Sequence, residues 1–256
     1  MGYLLAMPGA LAIGLSLGLL GSGGSILTVP VLVYLIGQPE KLAIAGSLAI
    51  VGTIALAASA PYVRDRLVSW RMVVLFGLPG MLGTYGGAWS SQFVSGALQF
   101  SVFALVMMLM AYQMLKPLEL KAINANAHSE TKIGLDGLAV GWLTGFVGVG
   151  GGFLIVPALV FLGGLSMHRA IATSLIIITL KSFVGFVKYT DVLAAENLTL
   201  DYRIIAVISA IGIIGSIGGS QLAAKIREEH LQKSFGVFLI CIGAFVLGRS
   251  LPTLIN

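Results

Sequence analysis

Long runs of apolar residues, separated by short polar stretches, account for most of the chain. A helix of about 20 apolar residues is long enough to cross the roughly 30 Å hydrocarbon core of a bilayer. The apolar runs cover 3–36, 42–62, 70–90, 95–115, 135–164, 170–189, 203–224 and 231–251. The pattern predicts an all-α polytopic membrane protein with two groups of four segments.

The longest polar stretch lies between the two groups of segments. It extends over 116–136 and contains proline, asparagine, histidine and charges of both signs. We interpret it as a linker between repeats. The predicted organisation is one membrane domain with an N-terminal repeat (1–115), a polar cytoplasmic linker (116–134) and a C-terminal repeat (135–256).

A glycine-rich motif occurs once in each group of segments. Gly21-Ser22-Gly23-Gly24-Ser25 is followed by Pro30, and Gly148-Val149-Gly150-Gly151-Gly152 is followed at the same spacing by Pro157. Aligning 21–48 with 148–175, at a constant shift of 127, gives 15 identities in 28 positions. The chain is therefore an internal duplication. A second correspondence, with a shift of 132, matches Gly80, Gly83, Gly86 and Gly87 to Gly212, Gly215, Gly218 and Gly219.

The segments that carry the glycine motif are too long for one crossing. A single helix over 3–36 would extend roughly 51 Å at about 1.5 Å per residue. Because each glycine costs about 1 kcal/mol relative to alanine in a helix, we expect the backbone to break or fold back at each motif. A re-entrant hairpin would leave an odd number of crossings in each half and make the halves inverted, whereas four crossings would make them parallel.

The basic residues distinguish these two arrangements. Lys and Arg accumulate on the cytoplasmic side of membrane proteins. With Lys181 set aside, the inverted arrangement places ten basic residues on one side and four on the other, and the parallel arrangement divides them nine to five. The count favours inverted repeats with a broken or re-entrant first helix. It also predicts a cytoplasmic linker and two external termini.

Broken helices at membrane depth indicate a binding site for an anion. Irregular backbone is tolerated there only where it is buried in protein or lines a cavity. Half-helices beginning near Ser25 and Gly152 would direct free N–H groups and the positive ends of their dipoles at such a site. The alternative is that the glycines only allow close helix packing. The predicted substrate-binding residues are Gly21, Ser22, Gly23, Gly24, Ser25, Ser47, Gly148, Gly150, Gly151, Gly152, Ser174, Lys181 and Gln221, with Pro30 and Pro157 in structural roles.

Lys181 is the one ionisable residue well inside an apolar run. It follows Ser174 by seven residues and so shares a helical face with it. A buried ammonium near a serine suits an anion site, whereas the alternative is that the long side chain reaches the interface near Tyr189. The counterpart of Lys181 in the first half is Ile54, so the halves would supply positive charge unequally. Gln221 offers a neutral hydrogen-bond donor to the substrate or, alternatively, an interhelical hydrogen bond.

Composition and motifs argue against several other functions. Only 10% of residues are charged, the mean hydropathy is +1.00, and the net charge of +5 is scattered through short loops, so we expect no nucleic-acid partner. Gly14-Leu15-Ser16-Leu17-Gly18 lacks the strand and the histidine of a serine hydrolase, and no nucleotide loop is visible. We therefore expect no enzyme, cofactor or metal. Cys241, the only cysteine, is expected to be buried. Asp65, Asp136, Asp191 and Asp201 border loops, so no proton-coupling residue is predicted.

The duplicated Gly-x-Gly-Gly-x-x-x-x-x-Pro pattern, at the start of each four-segment half, resembles the sulfite exporter TauE/SafE family. The resemblance covers nearly the whole chain. It implies transport of small sulfur-containing or organic anions, such as sulfite or sulfonates, across the cell (inner) membrane without ATP. Carried over by residue, it implies a site formed by Gly21, Gly23, Gly24 and Pro30 together with Gly148, Gly150, Gly151 and Pro157.

The leading hypothesis is a secondary transporter, an exporter, that works by alternating access around a midplane site between the repeats. Its partners would be a small anionic substrate and the lipid bilayer. A passive anion channel and a non-transporting membrane assembly protein are the alternatives. The sequence leaves open the particular anion, the direction of flux, the coupling ion and whether the chain forms a homo-oligomer.

Overall fold

The computed structural model describes residues 2–115, 130–147 and 152–255, and this part of the chain is helical without a β-strand. The predicted all-α class is confirmed. The helices are α1 (Gly2–Leu20), α2 (Gly23–Pro30), α3 (Glu40–Arg64), α4 (Trp70–Phe93), α5 (Gly96–Leu115), α6 (Glu130–Val147), α7 (Gly152–Phe161), α8 (Met167–Ala195), α9 (Tyr202–Ala223) and α10 (Glu228–Ile255).

Four of the described helices, α3, α4, α8 and α9, are long and apolar enough to cross a membrane. They form two pairs of counterparts, α3 with α8 and α4 with α9. Shorter apolar helices cover parts of α1, α2 with its extension, and α5. The chain is therefore a multi-pass membrane protein. Cys241, expected to be buried, is exposed on α10, because a thiol is apolar enough to lie on an outward-facing helix surface.

The first long segment breaks at its glycine motif, as predicted. Helix α1 ends at Leu20 and α2 begins at Gly23, with Gly21 at φ +69°, a conformation that favours glycine. Helix α2 then folds back along α1, so that Gly24 lies against the Ile13 carbonyl and Val31 lies against Gly9. The segment is a helical hairpin. Pro30 ends α2, and the chain continues as a wider π-helical turn over Val31–Leu35.

The corresponding part of the second half follows the same order. Helix α6 ends at Val147 and α7 begins at Gly152, and Pro157 lies within α7. Residues 148–151, which hold the rest of the second motif, lie outside the described residues. Helix α6 begins at Glu130, inside the stretch interpreted as the linker, and the remainder of that stretch, 116–129, is also outside them.

The two halves contact each other reciprocally through glycines. Helix α1 packs on α9 with Gly14 against the backbone of Gly212, and α6 packs on α4 with Gly141 against the backbone of Gly80. Shifts of 127 and 132 relate these two contacts residue by residue. A Cβ atom at any of Gly14, Gly80 or Gly141 would crowd the opposite helix, so the glycines allow backbones to approach closely.

The order of the contacts gives the direction of each helix. Gly14 and Gly18 on α1 meet Gly212 and Ser216 in the same order, so α1 and α9 run parallel. Helices α6 and α4 also run parallel, as shown by the contacts Gly141–Gly80 and Gly145–Thr84. The contacts Gly77–Ile177 and Thr84–Gly185 show that α4 and α8 run parallel, and Gly46–Ile205 and Ile54–Gly212 show the same for α3 and α9.

Helices α3 and α8 meet at the middle of the structure and run in opposite directions. Leu48 and Gly52 on α3 contact Gly185 and Ser182 on α8 in reversed order. Both helices are buried along most of their apolar length. Helices α1, α3 and α9 thus run opposite to α6, α8 and α4, their respective counterparts in the other half.

Candidate functional site

The first helix break is joined to the second half through Ser174. The Ser174 hydroxyl donates to the carbonyl oxygen of Gly21 at 3.1 Å and to that of Ile171 at 2.8 Å. Ile171 also packs against Gly21. Two of the predicted site residues, one from each half, are therefore in direct contact.

The serines of the first motif are buried within the hairpin. Ser25 Oγ donates to the Ser22 carbonyl at 2.6 Å, and Ser22 Oγ lies 3.4 Å from the Leu20 carbonyl. Ser22, the N-cap residue of α2, makes no side-chain capping hydrogen bond, and the Ser25 N–H donates to the Ser22 carbonyl at 3.1 Å. Because the first N–H groups of a helix have no partner inside it, those of Gly23 and Gly24 remain for an acceptor outside α2.

The second motif is described only at its end. Gly152 starts α7, whereas Gly148, Gly150 and Gly151 lie outside the described residues. Ser47, the counterpart of Ser174, is buried on α3 and donates to the Ile44 carbonyl at 2.7 Å. The two short helices that follow the motifs, α2 and α7, contact each other between the halves.

Lys181 is the middle residue of the 29-residue helix α8. Its side chain is fully buried, and its Nζ atom has no hydrogen-bond partner among the described residues. About 21 Å of helix separates it from either end of α8, which is farther than the side chain can reach. The interfacial position near Tyr189 is therefore not the one adopted. The structure therefore places a buried amino group, without a hydrogen-bond partner among the described residues, in the interior of the protein.

The backbone of α4 provides the room for this lysine. A Cβ atom on Gly80 would lie 3.4 Å from Lys181 Cδ and 3.5 Å from Cε, so the aliphatic part of the side chain packs on the glycine surface. In the other half Ile54 packs in the same way against Gly212. Lys181 thus occupies the place of an apolar side chain, with an added charge at its end.

Gln221 stands apart from this group. It is exposed in the last turns of α9, whereas Lys181 and Ser174 are fully buried on α8. Its role in substrate binding stays a prediction. Among the described residues no cluster of three or more His, Cys, Asp or Glu side chains could hold a metal ion.

Two tyrosines that the sequence analysis missed secure the helices next to the breaks. Tyr62 donates to the Gly18 carbonyl at 3.2 Å, and Tyr189 is directed at the Gly145 and Phe146 carbonyls, each at 3.3 Å. Both pairs obey the shift of 127, which is the signal that could have found them. The amide of Gln99 also donates to Tyr189 at 3.1 Å.

Asp136 is a second residue that the sequence analysis placed differently. It was assigned to a loop border, but it lies in the second turn of α6, because that helix starts earlier than the apolar run. Its Oδ2 atom is buried and has no hydrogen-bond partner in the described part of the chain.

Comparisons with known proteins give a consistent result. The family model described as Sulfite exporter TauE/SafE matches residues 6–246. A probable membrane transporter protein of Xylella fastidiosa (strain 9a5c) is 32% identical over 251 residues, which cover 95% of this chain and 94% of the relative. A probable membrane transporter protein of Methanocaldococcus jannaschii is 28% identical over 262 residues, or 96% of this chain and 97% of the relative. No solved structure matches the chain.

Proposed function

The chain belongs to the sulfite exporter TauE/SafE family, and on that premise we propose that it is a secondary transporter of small sulfur-containing or organic anions such as sulfite or sulfonates. The family is described as a sulfite exporter family, and the relatives are described as probable membrane transporter proteins, which supports transport rather than catalysis. The observation that carries the proposal is the buried, unpartnered Nζ atom of Lys181 at the middle of α8.

A buried ammonium without a counter-charge is costly in a membrane protein. Intramembrane charges are rare, and they face cavities or partners of opposite charge. A sulfite or sulfonate oxygen is a strong acceptor for an ammonium donor, with a charge-assisted hydrogen bond about twice as strong as a neutral one. A small anion bound at Lys181 would therefore neutralise the charge that the described residues leave unpaired.

The start of α2 also favours a negatively charged substrate. The N–H groups of its first turn, which have no partner within the helix, and the positive end of the helix dipole favour an anion. The start of α2 contacts α8 through Gly21 and Ser174, seven residues before Lys181. Along a helix that separation is roughly 10 Å. We place Lys181 at the centre of the anion path and the start of α2 closer to one end of it.

The opposite directions of counterpart helices favour alternating access. In transporters with inverted repeats, the two halves can exchange conformations and so open the central site to either side in turn. We propose this mechanism here, with α3 and α8 crossing beside the site and with net export across the cell inner membrane. The linker would lie in the cytoplasm.

Counterflow in proteoliposomes tests this proposal. Vesicles preloaded with unlabelled sulfite should accumulate labelled sulfite transiently above equilibrium. The unlabelled sulfite inside the vesicle competes with the labelled sulfite for the carrier and so delays the exit of the label. Lys181→Met should abolish the overshoot, whereas Lys225→Met, a matched change at an exposed lysine, should keep it. Non-saturating uptake with single-channel currents would identify a passive anion channel instead. Absence of any anion flux and of any anion binding would leave the membrane assembly role.

A further inference from the structure

Asp136 and Lys181 flank the same helix crossing. Asp136 precedes Gly137, whose carbonyl oxygen would lie 3.2 Å from a Cβ atom on Gly80. The Cε atom of Lys181 would lie 3.5 Å from that same point. Asp136 Oδ2 and Lys181 Nζ are both buried, and neither has a hydrogen-bond partner within the described residues. The backbone next to Asp136 and the side chain of Lys181 thus lie at one helix crossing.

Both charges belong to one cluster of four helices. Helix α6 contacts α4 and α7, and α8 contacts the same two helices, so the four close into a ring. The corresponding ring in the first half carries Gly9 at the position of Asp136 and Ile54 at the position of Lys181. The two charges therefore occur together in one half and are absent together from the other.

Within the described residues, the elements around Asp136 bring no buried charge to it apart from Lys181. Helix α7 carries no ionisable side chain, and α4 and α5 carry exposed tyrosines in their described parts. On α6 itself the other charges are in its exposed first turn, where Glu130 pairs with Arg71. On α8 only Lys181 is both charged and buried. The remaining ionisable side chains of these elements are Tyr85, Tyr112, Lys132, His168, Arg169, Lys188, Tyr189 and Asp191.

We propose that Asp136 and Lys181 together form a proton-coupled anion site, in which the anion binds Lys181 while a proton binds Asp136. This proposal rests on the proposed function and names its coupling ion. With no anion bound, a carboxylate and an ammonium give the site a net charge of zero. With a monoanion at Lys181 and a proton on Asp136, the net charge is again zero.

The need to keep the site electrically neutral is the physical reason for the coupling. An anion bound beside an ionised Asp136 would add a second negative charge to a poorly solvated site, which is unfavourable. Protonation forms one O–H bond on the carboxylate and consumes one proton from water. Release on the other side returns that proton with the anion. The cycle therefore carries one proton with each monoanion in the same direction.

The affinity for the anion should rise as the pH falls. A proton on Asp136 favours anion binding, so lowering the pH should strengthen binding and raising the pH should weaken it. Where one proton is linked to one anion, the apparent dissociation constant changes about tenfold per pH unit above the titration of the acid. Methanesulfonate is a suitable probe, because it remains a monoanion across this range.

The test uses the full-length protein in two assays. Labelled methanesulfonate binding, measured from about pH 5 to about pH 8, should follow the tenfold slope in wild type and change less than about twofold in Asp136→Asn. In proteoliposomes, an inward methanesulfonate gradient should acidify the lumen of wild-type vesicles. Asp136→Asn should still exchange labelled anion but should not acidify the lumen. Asp65→Asn, a change at an exposed carboxylate, should behave as wild type.

Each contrary outcome has a distinct meaning. Wild-type exchange without acidification, or an unchanged pH slope in Asp136→Asn, overturns the coupling and leaves anion transport standing. Absence of anion exchange by wild type overturns the proposed function, and the coupling with it. If Asp136→Asn does not fold, Asp136→Gly removes the same acid by introducing the residue found at the matching position Gly9, and it should lose the slope in the same way. Asp136→Glu should keep the slope because it retains the acid.

Discussion

Tyr62 and Tyr189 make the same hydrogen bond in the two halves of the protein. Each lies toward the end of a long central helix and donates to a carbonyl in the last turn of the helix that precedes a glycine motif, at Gly18 and at Gly145. Because carbonyls at a helix end have no partner within the helix, the tyrosines satisfy groups that would otherwise be unpaired at membrane depth. They hold the helix before each motif against the central helix of the same half.

We expect removal of either hydroxyl to destabilise the protein. Tyr62→Phe keeps the ring and loses one buried hydrogen bond, which should cost about 0.5–1.5 kcal/mol. Tyr189→Phe should cost more, because Gln99 also loses its partner. The midpoint of thermal unfolding in detergent measures both. Tyr202→Phe, at an exposed tyrosine, should leave it unchanged, and equal stability of all three variants would remove this role.

The glycines of α4 allow a direct test of close packing. A Cβ atom at Gly83 would collide with the Leu138 carbonyl and the Trp142 amide nitrogen, whereas one at Gly86 would meet only the Trp142 ring at 3.8 Å. Gly83→Ala should therefore destabilise the protein by about 1–3 kcal/mol. Gly86→Ala should be neutral or stabilise it by up to about 1 kcal/mol through helix propensity. Thermal unfolding of the two variants would show this difference, and identical midpoints would contradict the packing described here.

The charge of Lys181 should set the affinity for the substrate. A charge-assisted hydrogen bond contributes about 1.5–3 kcal/mol, so Lys181→Met should weaken sulfite or sulfonate binding roughly 10- to 150-fold. Expression and folding should be retained, because the substitution removes a buried charge and keeps the chain length. Direct binding to purified protein measures the effect. An unchanged affinity would remove Lys181 from the site and leave the backbone N–H groups near Gly23 and Gly24.

Topology can be tested by labelling introduced cysteines. The distribution of basic residues predicts that Asn124 is cytoplasmic and that Asn256 is external. In a Cys241→Ala background, Asn124→Cys and Asn256→Cys should react with a membrane-impermeant maleimide from opposite sides. Labelling of both from one side would contradict the inverted arrangement.

Much of the architecture could be predicted because it depends on periodicity and repetition. The hydrophobic runs specify the helices, and the shift of 127 identifies the two glycine motifs. The break at Gly21 follows from the cost of glycine in a helix and from the length of the run. The charge on Lys181 is conspicuous because the other ionisable residues of its run, Lys188 and Tyr189, lie at the end of that run.

The remaining features depend on packing between segments far apart in sequence. The pairing of α1 with α9 requires the fit of Gly14 onto Gly212, which no local pattern encodes. Asp136 was assigned to a loop border because polar residues precede it, but the helix starts at Glu130 and therefore includes Asp136. Gln221 directly follows the buried Ser220 in the sequence, but it lies on the exposed side of α9. Which side of α9 is exposed depends on the packing of that helix.

The exchange of α1 and α6 between the halves has a consequence for assembly. The first helix of each repeat packs on the glycine-rich helix of the other repeat, α1 on α9 and α6 on α4. Neither repeat alone therefore contains the helix on which its first helix packs. Translation would complete the first repeat before α9 is synthesised. Until then, the face of α1 that packs on α9 would remain exposed to lipid. Fragments cut within 116–129 should therefore be unstable when expressed alone and should reassociate when expressed together.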